Sequence, residues 1–233
     1  MAERTVSVPT ASVPTHETHV VMGELSAYER YKLMASLIVP RPIAFVTTVN
    51  VDGVVNAAPF SMFAMVGEEP PLVMISLDRR VGGARKDTAI NIDATGEFVV
   101  HLVDEALAQQ MHDCGFAHPP EVDELRHVGL TATPSTQVAP PRIAEAPVAL
   151  ECTLHERLQT ASRDIYFGRI EHLWAREGLI DPERWHVRLT DYHPVGRFGA
   201  SFYVTSRDRF ALSSRDGDGD GAPPAHRTEI DSL

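Results

Sequence analysis

The chain has few cysteines and no long apolar run, and each shortage excludes a class of protein. Two cysteines among 233 residues, Cys114 and Cys152, cannot form a disulfide framework, so we expect a reducing, cytoplasmic setting. No apolar run approaches the length of a membrane span, and the first twenty or so residues carry no apolar signal segment. We therefore expect neither a membrane partner nor a secretory leader.

Positive charge is also scarce. The chain carries 21 basic and 32 acidic residues, which gives a formal net charge of −11. This balance argues against nucleic acid or an anionic membrane as the main partner. Lysine is especially rare, because Lys32 and Lys86 are the two in the sequence. A hydrophobic fraction of 43% is ordinary for a globular protein, and the length suits one large domain with appendages.

Composition divides the chain into a flexible arm (1–23), a domain (24–212) and a disordered tail (213–233). The spacing of apolar residues over 24–38 predicts an amphipathic helix that ends at the following prolines. Asp52-Gly53 lies between valines and predicts a tight hairpin turn. The other predicted helices run from Asp87 to Gly96 and over 104–111, with one helical turn near 121–125. The predicted strands are 43–49, 53–57, 71–77, 97–103, 148–155, 165–173 and 184–190.

Seven strands with few helices favour a mainly β fold, a β-barrel, over alternating βαβ units. No glycine-rich dinucleotide motif follows a strand, which argues against a Rossmann domain. A nucleotide-like cofactor would therefore need another way of being held.

Residues 79–91, RRVGGARKDTAIN, suggest a phosphate site. Arg85 and Lys86 precede Asp87 and Thr88, where a helix is predicted to begin with Asp87 as its N-cap. A helix N-terminus offers N–H groups and the positive end of a dipole to a phosphate. The alternative is a solvated basic loop with an ordinary cap.

Small residues mark a second stretch, 56–61, where the return strand of the hairpin reads NAAPFS. A core strand would carry larger apolar groups, so small side chains here indicate that something flat lies close to the backbone. A ligand with a charged tail and a flat polar ring would fit both stretches. Flavin mononucleotide (FMN) is such a ligand.

Several motifs, in this order, resemble the flavin reductase-like family with the FMN-binding split barrel, which includes flavoredoxin-like proteins. They are RPIAFVTT (41–48), NAAPFSMF (56–63), KDTAINI (86–92), YFGRIEHLW (166–174) and YHPVGRFGASFY (192–203). The resemblance covers about residues 28–205. It implies a six-stranded Greek-key split barrel, a homodimer, and FMN (FAD is possible) near the dimer interface.

The resemblance also implies roles for residues, carried over by position. Lys86 and Thr88, with Arg85 as a helper, match the phosphate-binding segment, and Ser76 matches a hydroxyl facing the phosphate or ribityl chain. The residues matching the surroundings of the ring or ribityl chain are Thr47, Thr48, Asn56, Ala57, Ala58, Phe60 and Ser61. Arg41 could approach ring or phosphate, or cap the preceding helix, and Arg197 could reach the partner chain's site. At least one of the two threonines at 47–48 could simply pack in its strand.

The implied activity is hydride transfer from NADH or NADPH to flavin. The protein would then be an NAD(P)H:flavin oxidoreductase that could supply reduced flavin to a separate monooxygenase. Because the cofactor carries this reaction, we expect neither a catalytic acid–base pair nor a metal site. The alternative is a non-catalytic FMN-binding electron carrier that a partner protein reduces.

Overall fold

A computed structural model describes residues 16–80, 82–119 and 121–208. The chain divides into two units: Val39–Thr205, and Met1–Ile38 together with Ser206–Leu233. Most of the predicted arm and all of the predicted tail (213–233) lie outside the described residues, and the domain boundaries stay a prediction. Among the described residues, no helix is long and apolar enough to cross a membrane.

The predicted helices are confirmed with small changes of boundary. Helix α1 begins after Ser26, whose hydroxyl and the carboxylate of Glu29 form a reciprocal capping box. The helices are α1 (Ala27–Leu37), α2 (Asp87–Thr95), α3 (Ala108–Asp113) and α4 (Glu124–His127), with 3-10 turns at Met22–Glu24 and Glu105–Leu107. Gly96 ends α2 in the left-handed region at φ 72°, a conformation that glycine adopts without strain.

The fold is mainly β. Its strands are β1 (Arg41–Pro42), β2 (Ala44–Val49), β3 (Val55–Phe60), β4 (Phe63–Glu68), β5 (Pro71–Asp78), β6 (Glu97–Leu102), β7 (Ala132–Thr133), β8 (Arg142–Ile143), β9 (Val148–Gln159), β10 (Arg163–Ala175), β11 (Ile180–Asp181), β12 (His186–Val187), β13 (Val195–Gly199) and β14 (Phe202–Thr205). The main sheet has the order β3-β2-β6-β9-β10-β5-β4, and every neighbouring pair in it is antiparallel. A smaller sheet has the order β1-β13-β14.

The main sheet curls into a barrel because its two end strands are consecutive in the chain. Only Ser61 and Met62 separate β3 from β4, yet these strands lie at opposite ends of the hydrogen-bonded order. The sheet must therefore bring its ends together at this kink. If β3 and β4 are counted as one bent strand, the main sheet is the six-stranded barrel that the resemblance implies. Strand β6 pairs with β2 although β3, β4 and β5 lie between them in the chain, which is the kind of connection found in a Greek key.

Two apolar cores flank β2, whose side chains are buried on both faces. The barrel interior holds large, fully buried side chains that include Phe98, Tyr166 and Ile75. Packing is so close that a Cβ at Gly168 would lie 2.3 Å from Cζ of Phe98. The second core lies on the other face of β2 and includes Phe45, Met111, Leu125 and Ile143.

Several strands differ from the predictions, since β1, β4, β7, β8, β11, β13 and β14 lie outside the predicted runs. The run 184–190 contributes only β12, because Trp185 lies at a positive φ of 58° and interrupts the extended chain. Strand β4 was not predicted, because the kink at Ser61 and Met62 contains neither proline nor glycine to mark it.

Candidate functional site

Lys86 occupies the start of α2. It is the N-cap residue in extended conformation, and its Nζ lies 3.2 Å from Oδ1 of Asp78 and 5.7 Å from the ring centroid of Phe60. The lysine thus stands where the ends of β3, β5 and the loop before α2 meet. The prediction of Asp87 as N-cap is wrong: Asp87 is the first helical residue, and its carboxylate accepts a hydrogen bond from Arg80.

A polar network ties the start of α2 to the edge strand β3. Asn56 Nδ2 donates to Oγ1 of Thr88 at 2.9 Å and to Oγ1 of Thr48 at 3.3 Å. Asn91 Nδ2 also donates to the Thr48 hydroxyl, at 3.0 Å. Both threonines are buried, so their hydroxyls position Asn56 and the helix rather than line an open surface.

Arg85 points into a different cluster, on the side of β10. Its guanidinium lies 2.7 Å from a carboxylate oxygen of Asp93 and 3.3 Å from Oδ2 of Asp164, and it donates to the hydroxyl of Tyr166. Arg157 contacts the same two carboxylates at 2.8 Å. The role of Arg85 as a phosphate-binding helper stays a prediction, and its contacts with Asp93 and Asp164 disfavour it.

This cluster keeps its charges. Burial alone would raise the pKa of Asp164, but the hydrogen bond from Arg157 and the charge of Arg85 outweigh it and lower that pKa. Burial alone would lower the pKa of the Arg85 guanidinium, but its carboxylate partners Asp93 and Asp164 outweigh this and raise that pKa. The cluster therefore fixes the basic loop against β10 with both signs ionised.

The kink between β3 and β4 gathers three more of the predicted residues. Ser61 Oγ accepts a hydrogen bond from Arg41 Nε at 3.3 Å. Ser76 is buried in β5, where its N–H donates to the carbonyl of Met62 at 2.9 Å. Ser61 thus lies in the kink next to Phe60, and Ser76 contacts the kink through the Met62 carbonyl.

Thr47 faces away from this group. Its Oγ1 donates to the carbonyl of Pro141 at 2.6 Å, beneath the connection that precedes β8. Because successive strand residues point to opposite faces, Thr47 and Thr48 serve different cores. Thr47 is therefore the threonine of this pair that packs within its strand.

Glu124 is a residue of this region that the sequence did not indicate. Its Oε2 accepts the backbone N–H of Ala57 at 2.5 Å, so it takes the outward donor of the edge strand β3. Burial raises its pKa to about 7, although the Ala57 hydrogen bond opposes the rise and the nearby charge of Asp87 adds to it. Ala57 and Ala58 themselves pack against the two cores, one on each face of β3.

Arg197 lies in the smaller sheet, directly opposite Arg41 in the register of β1 and β13. Its guanidinium donates to the hydroxyl of Tyr203 at 2.6 Å and stacks on that ring at 4.7 Å. The structure therefore brings Lys86, Phe60, Ser61, Ser76 and Arg41 to one place, with Arg197 joined to it through Arg41.

The sequence model of the flavin reductase like domain matches residues 34–194. The chain belongs to the flavin reductase-like family. The match spans the whole main sheet and the start of α2, so the barrel and the Lys86 region are parts of the family's domain.

Solved structures of the flavin reductase-like fold agree with this. The chain is 40% identical to 2-nitrobenzoate 2-nitroreductase NbaA of Pseudomonas fluorescens, with a TM-score of 0.78 over 85% of this chain and 97% of that one. It is 31% identical to nitrilotriacetate monooxygenase component B of Bacillus cereus, with a TM-score of 0.80 over 85% and 100%. A split-barrel protein of the flavin reductase type from Shewanella frigidimarina, 19% identical, shares the fold with a TM-score of 0.71 over 85% and 99%.

Proposed function

We propose that this protein binds FMN and acts as an NAD(P)H:flavin oxidoreductase. Membership of the family supports a flavin as the cofactor. The observation that supports the mononucleotide form is the position of Lys86 at the start of α2. Its ammonium group and the N–H groups of the first helical turn suit a phosphate. In a chain of net charge −11, such local positive charge is needed to hold a dianion. FAD would present a phosphate to the same groups.

The ring of the flavin suits the surface of β3. Ala58 is a small, partly exposed residue of this strand, and Phe60 and Ser61 bound the strand at the kink. When bound, the flavin supplies the capacity to accept a hydride. The residues of this chain contribute binding and orientation, so their substitution is expected to change affinity and positioning more than to remove a proton-transfer step.

We also propose a homodimer. Strand β4 is an end strand of the main sheet, and it exposes 74% of Met65 and 46% of Val66. Exposed apolar groups on an unpaired sheet edge favour association with another chain. Light scattering should give the mass of two chains at micromolar concentration. A clean monomer that still binds flavin would contradict the dimer.

The destination of the electrons has two supported candidates. One relative is named a nitroreductase and another a monooxygenase component, so the reduced flavin could pass electrons to a bound acceptor or serve a partner oxygenase. Ultrafiltration after reduction separates them: retained flavin favours a bound acceptor, and released flavin favours a partner.

An anaerobic titration tests the activity itself. Protein loaded with FMN is mixed with NADH or NADPH, and the flavin absorbance band is followed. We expect rapid bleaching by at least one of the two nucleotides. Bleaching by dithionite alone would reject the reductase and favour an electron carrier that a partner reduces. Protein that gives no thermal shift with FMN or FAD would reject the flavin altogether.

A further inference from the structure

The smaller sheet carries an unusual row of side chains. Arg41 lies directly opposite Arg197, and Arg197 lies directly opposite Tyr203. Residues that face each other on neighbouring antiparallel strands project to the same side of the sheet, and like charges in such positions are destabilising. Two guanidinium groups therefore share one face of the smaller sheet.

Neutral groups hold Arg197 in place. Besides Tyr203, it donates to the carbonyl of Ala200, and the Tyr203 hydroxyl lies 2.9 Å from Nδ1 of His112. In the described parts of the chain, no carboxylate lies within 4.0 Å of the Arg197 guanidinium. The arginines of the basic loop differ, since Arg80 and Arg85 are each paired with an aspartate.

The row adjoins the candidate flavin site. The hydrogen bond from Arg41 to Ser61 joins the smaller sheet to the kink between β3 and β4, next to Phe60. An anion on this face would thus lie beside the flavin rather than on the far side of the barrel. The planar fork of arginine suits anions with two oxygens, and here the fork of Arg197 is already oriented by Tyr203.

We propose that Arg197, together with Arg41, binds an oxyanion group of the second substrate beside the flavin. This inference rests on the proposed function, because it assigns the second substrate of that same site. The shared chemistry is a carboxylate or a phosphate. A carboxylate would come from an acidic aromatic electron acceptor, and a phosphate from the pyrophosphate of the nicotinamide nucleotide.

Two probes distinguish these sources. Benzoate and its neutral analogue benzamide report on a carboxylate, and ADP reports on a pyrophosphate. Each is titrated into FMN-loaded protein by calorimetry, and into flavin-free protein by thermal shift. We expect benzoate or ADP to bind, and benzamide to bind far more weakly than benzoate.

The Arg197→Gln variant should weaken the bound anion by about 10- to 100-fold, as expected for loss of a charge-assisted hydrogen bond. Arg197→Lys keeps the charge but loses the fork, so it should give an intermediate loss and covers the case in which the glutamine variant does not fold. Arg169→Gln is the matched control, since Arg169 is a half-exposed arginine of β10 near Glu171, and it should change nothing.

Loss confined to benzoate assigns the site to an acidic acceptor, and loss confined to ADP, with a raised KM for NADH or NADPH, assigns it to the nucleotide. Absence of anion binding in both forms of the wild-type protein would overturn the proposal. So would Arg197→Gln weakening FMN but not riboflavin, because Arg197 would then hold the cofactor phosphate. If FMN itself does not bind, the proposed function fails, and the titration of the flavin-free protein still decides the anion site.

Discussion

The carboxylate of Glu124 accepts the backbone N–H of Ala57, although 67 positions separate the two residues in the chain. Ala57 lies in an end strand of the main sheet, and its outward N–H would otherwise be open to a ligand or to water. The contact joins α4 to the strand on which we place the flavin ring. In this arrangement Glu124, and not a ligand, takes the Ala57 N–H.

Glu124→Gln should stabilise the protein at high pH. The folded protein holds the Glu124 proton with a pKa of about 7 against an ordinary value of 4.5, so the stability of the wild type falls as pH rises through this window. Glutamine cannot ionise, and its Oε1 can still accept the Ala57 N–H. We expect the advantage of the variant over the wild type to grow by about 1–3 kcal/mol between pH 5 and pH 8. Urea unfolding at both pH values measures it, with the exposed Glu121→Gln as control.

His101 should produce the opposite pH dependence. Its Nδ1 lies 2.9 Å from the carbonyl of Phe45, and its Nε2 accepts the N–H of Ile143 at 3.0 Å. Burial lowers its pKa to about 4 despite the Phe45 carbonyl, and nearby Arg142 lowers it further. The unfolded chain therefore binds this proton more readily, and stability is lost as pH falls from about 6.5 towards 4.

This loss should reach about 3 kcal/mol, since it reflects a difference of about 2.5 pKa units. Because Glu124 acts in the opposite direction over much of the same range, the slope is best measured in the Glu124→Gln background. His101→Gln should flatten the remaining slope, whereas the exposed His155→Gln should leave it unchanged. A slope that survives His101→Gln would mean that another group titrates.

Asn56→Ala should loosen the start of α2. It removes the donor to the buried hydroxyls of Thr88 and Thr48, which we expect to cost about 1–3 kcal/mol of unfolding free energy. Thr88→Val breaks one of these contacts from the other side. A double-mutant cycle should therefore give a coupling energy of about 0.5–1.5 kcal/mol. Additive losses would show that Asn56 acts through other contacts.

Local signals were sufficient for much of this fold. Asp52-Gly53 marked the hairpin of β2 and β3, with Gly53 at a φ of 81°, and the helix from Asp87 to Gly96 was predicted almost to the residue. These features depend on residues that are neighbours in the chain. The assignment to a split barrel came from several short motifs in order, which together indicate the family.

Contacts between distant residues were not predictable in this way. Arg85 reads as a phosphate ligand beside Lys86, but Asp164, far along the chain, draws it into a cluster on β10. Glu124 carries no local sign of its contact with Ala57. Strand pairing across the barrel creates these contacts, so the residue types alone could not assign them.

Lys86→Ala should weaken FMN much more than riboflavin. A charge-assisted hydrogen bond contributes about 1.5–3 kcal/mol, which corresponds to roughly 10- to 150-fold in the dissociation constant. Riboflavin lacks the phosphate and should lose little. The loss for FMN should shrink as salt is raised, because screening weakens the charge term. Lys32→Ala, which removes the other lysine, is the control. Equal losses for both flavins would assign Lys86 to the ring site or the fold.

Asp78→Asn should tighten FMN. The Asp78 carboxylate lies 3.2 Å from Nζ of Lys86, so a phosphate must displace it or bind against its charge. The carboxylate is 55% exposed, so the ion pair is a weak one and the gain should be several-fold rather than a hundred-fold.

The effect should depend on Lys86. In a Lys86→Ala background, Asp78→Asn should increase FMN affinity by a smaller factor than in the wild type. The increase that remains measures the influence of Arg163, which lies opposite Asp78 in the register of β5 and β10. Riboflavin affinity should stay constant in all four proteins. A different outcome is that Asp78→Asn leaves FMN affinity unchanged while Lys86→Ala lowers it. In that case Lys86 contacts the phosphate while its ion pair with Asp78 stays in place.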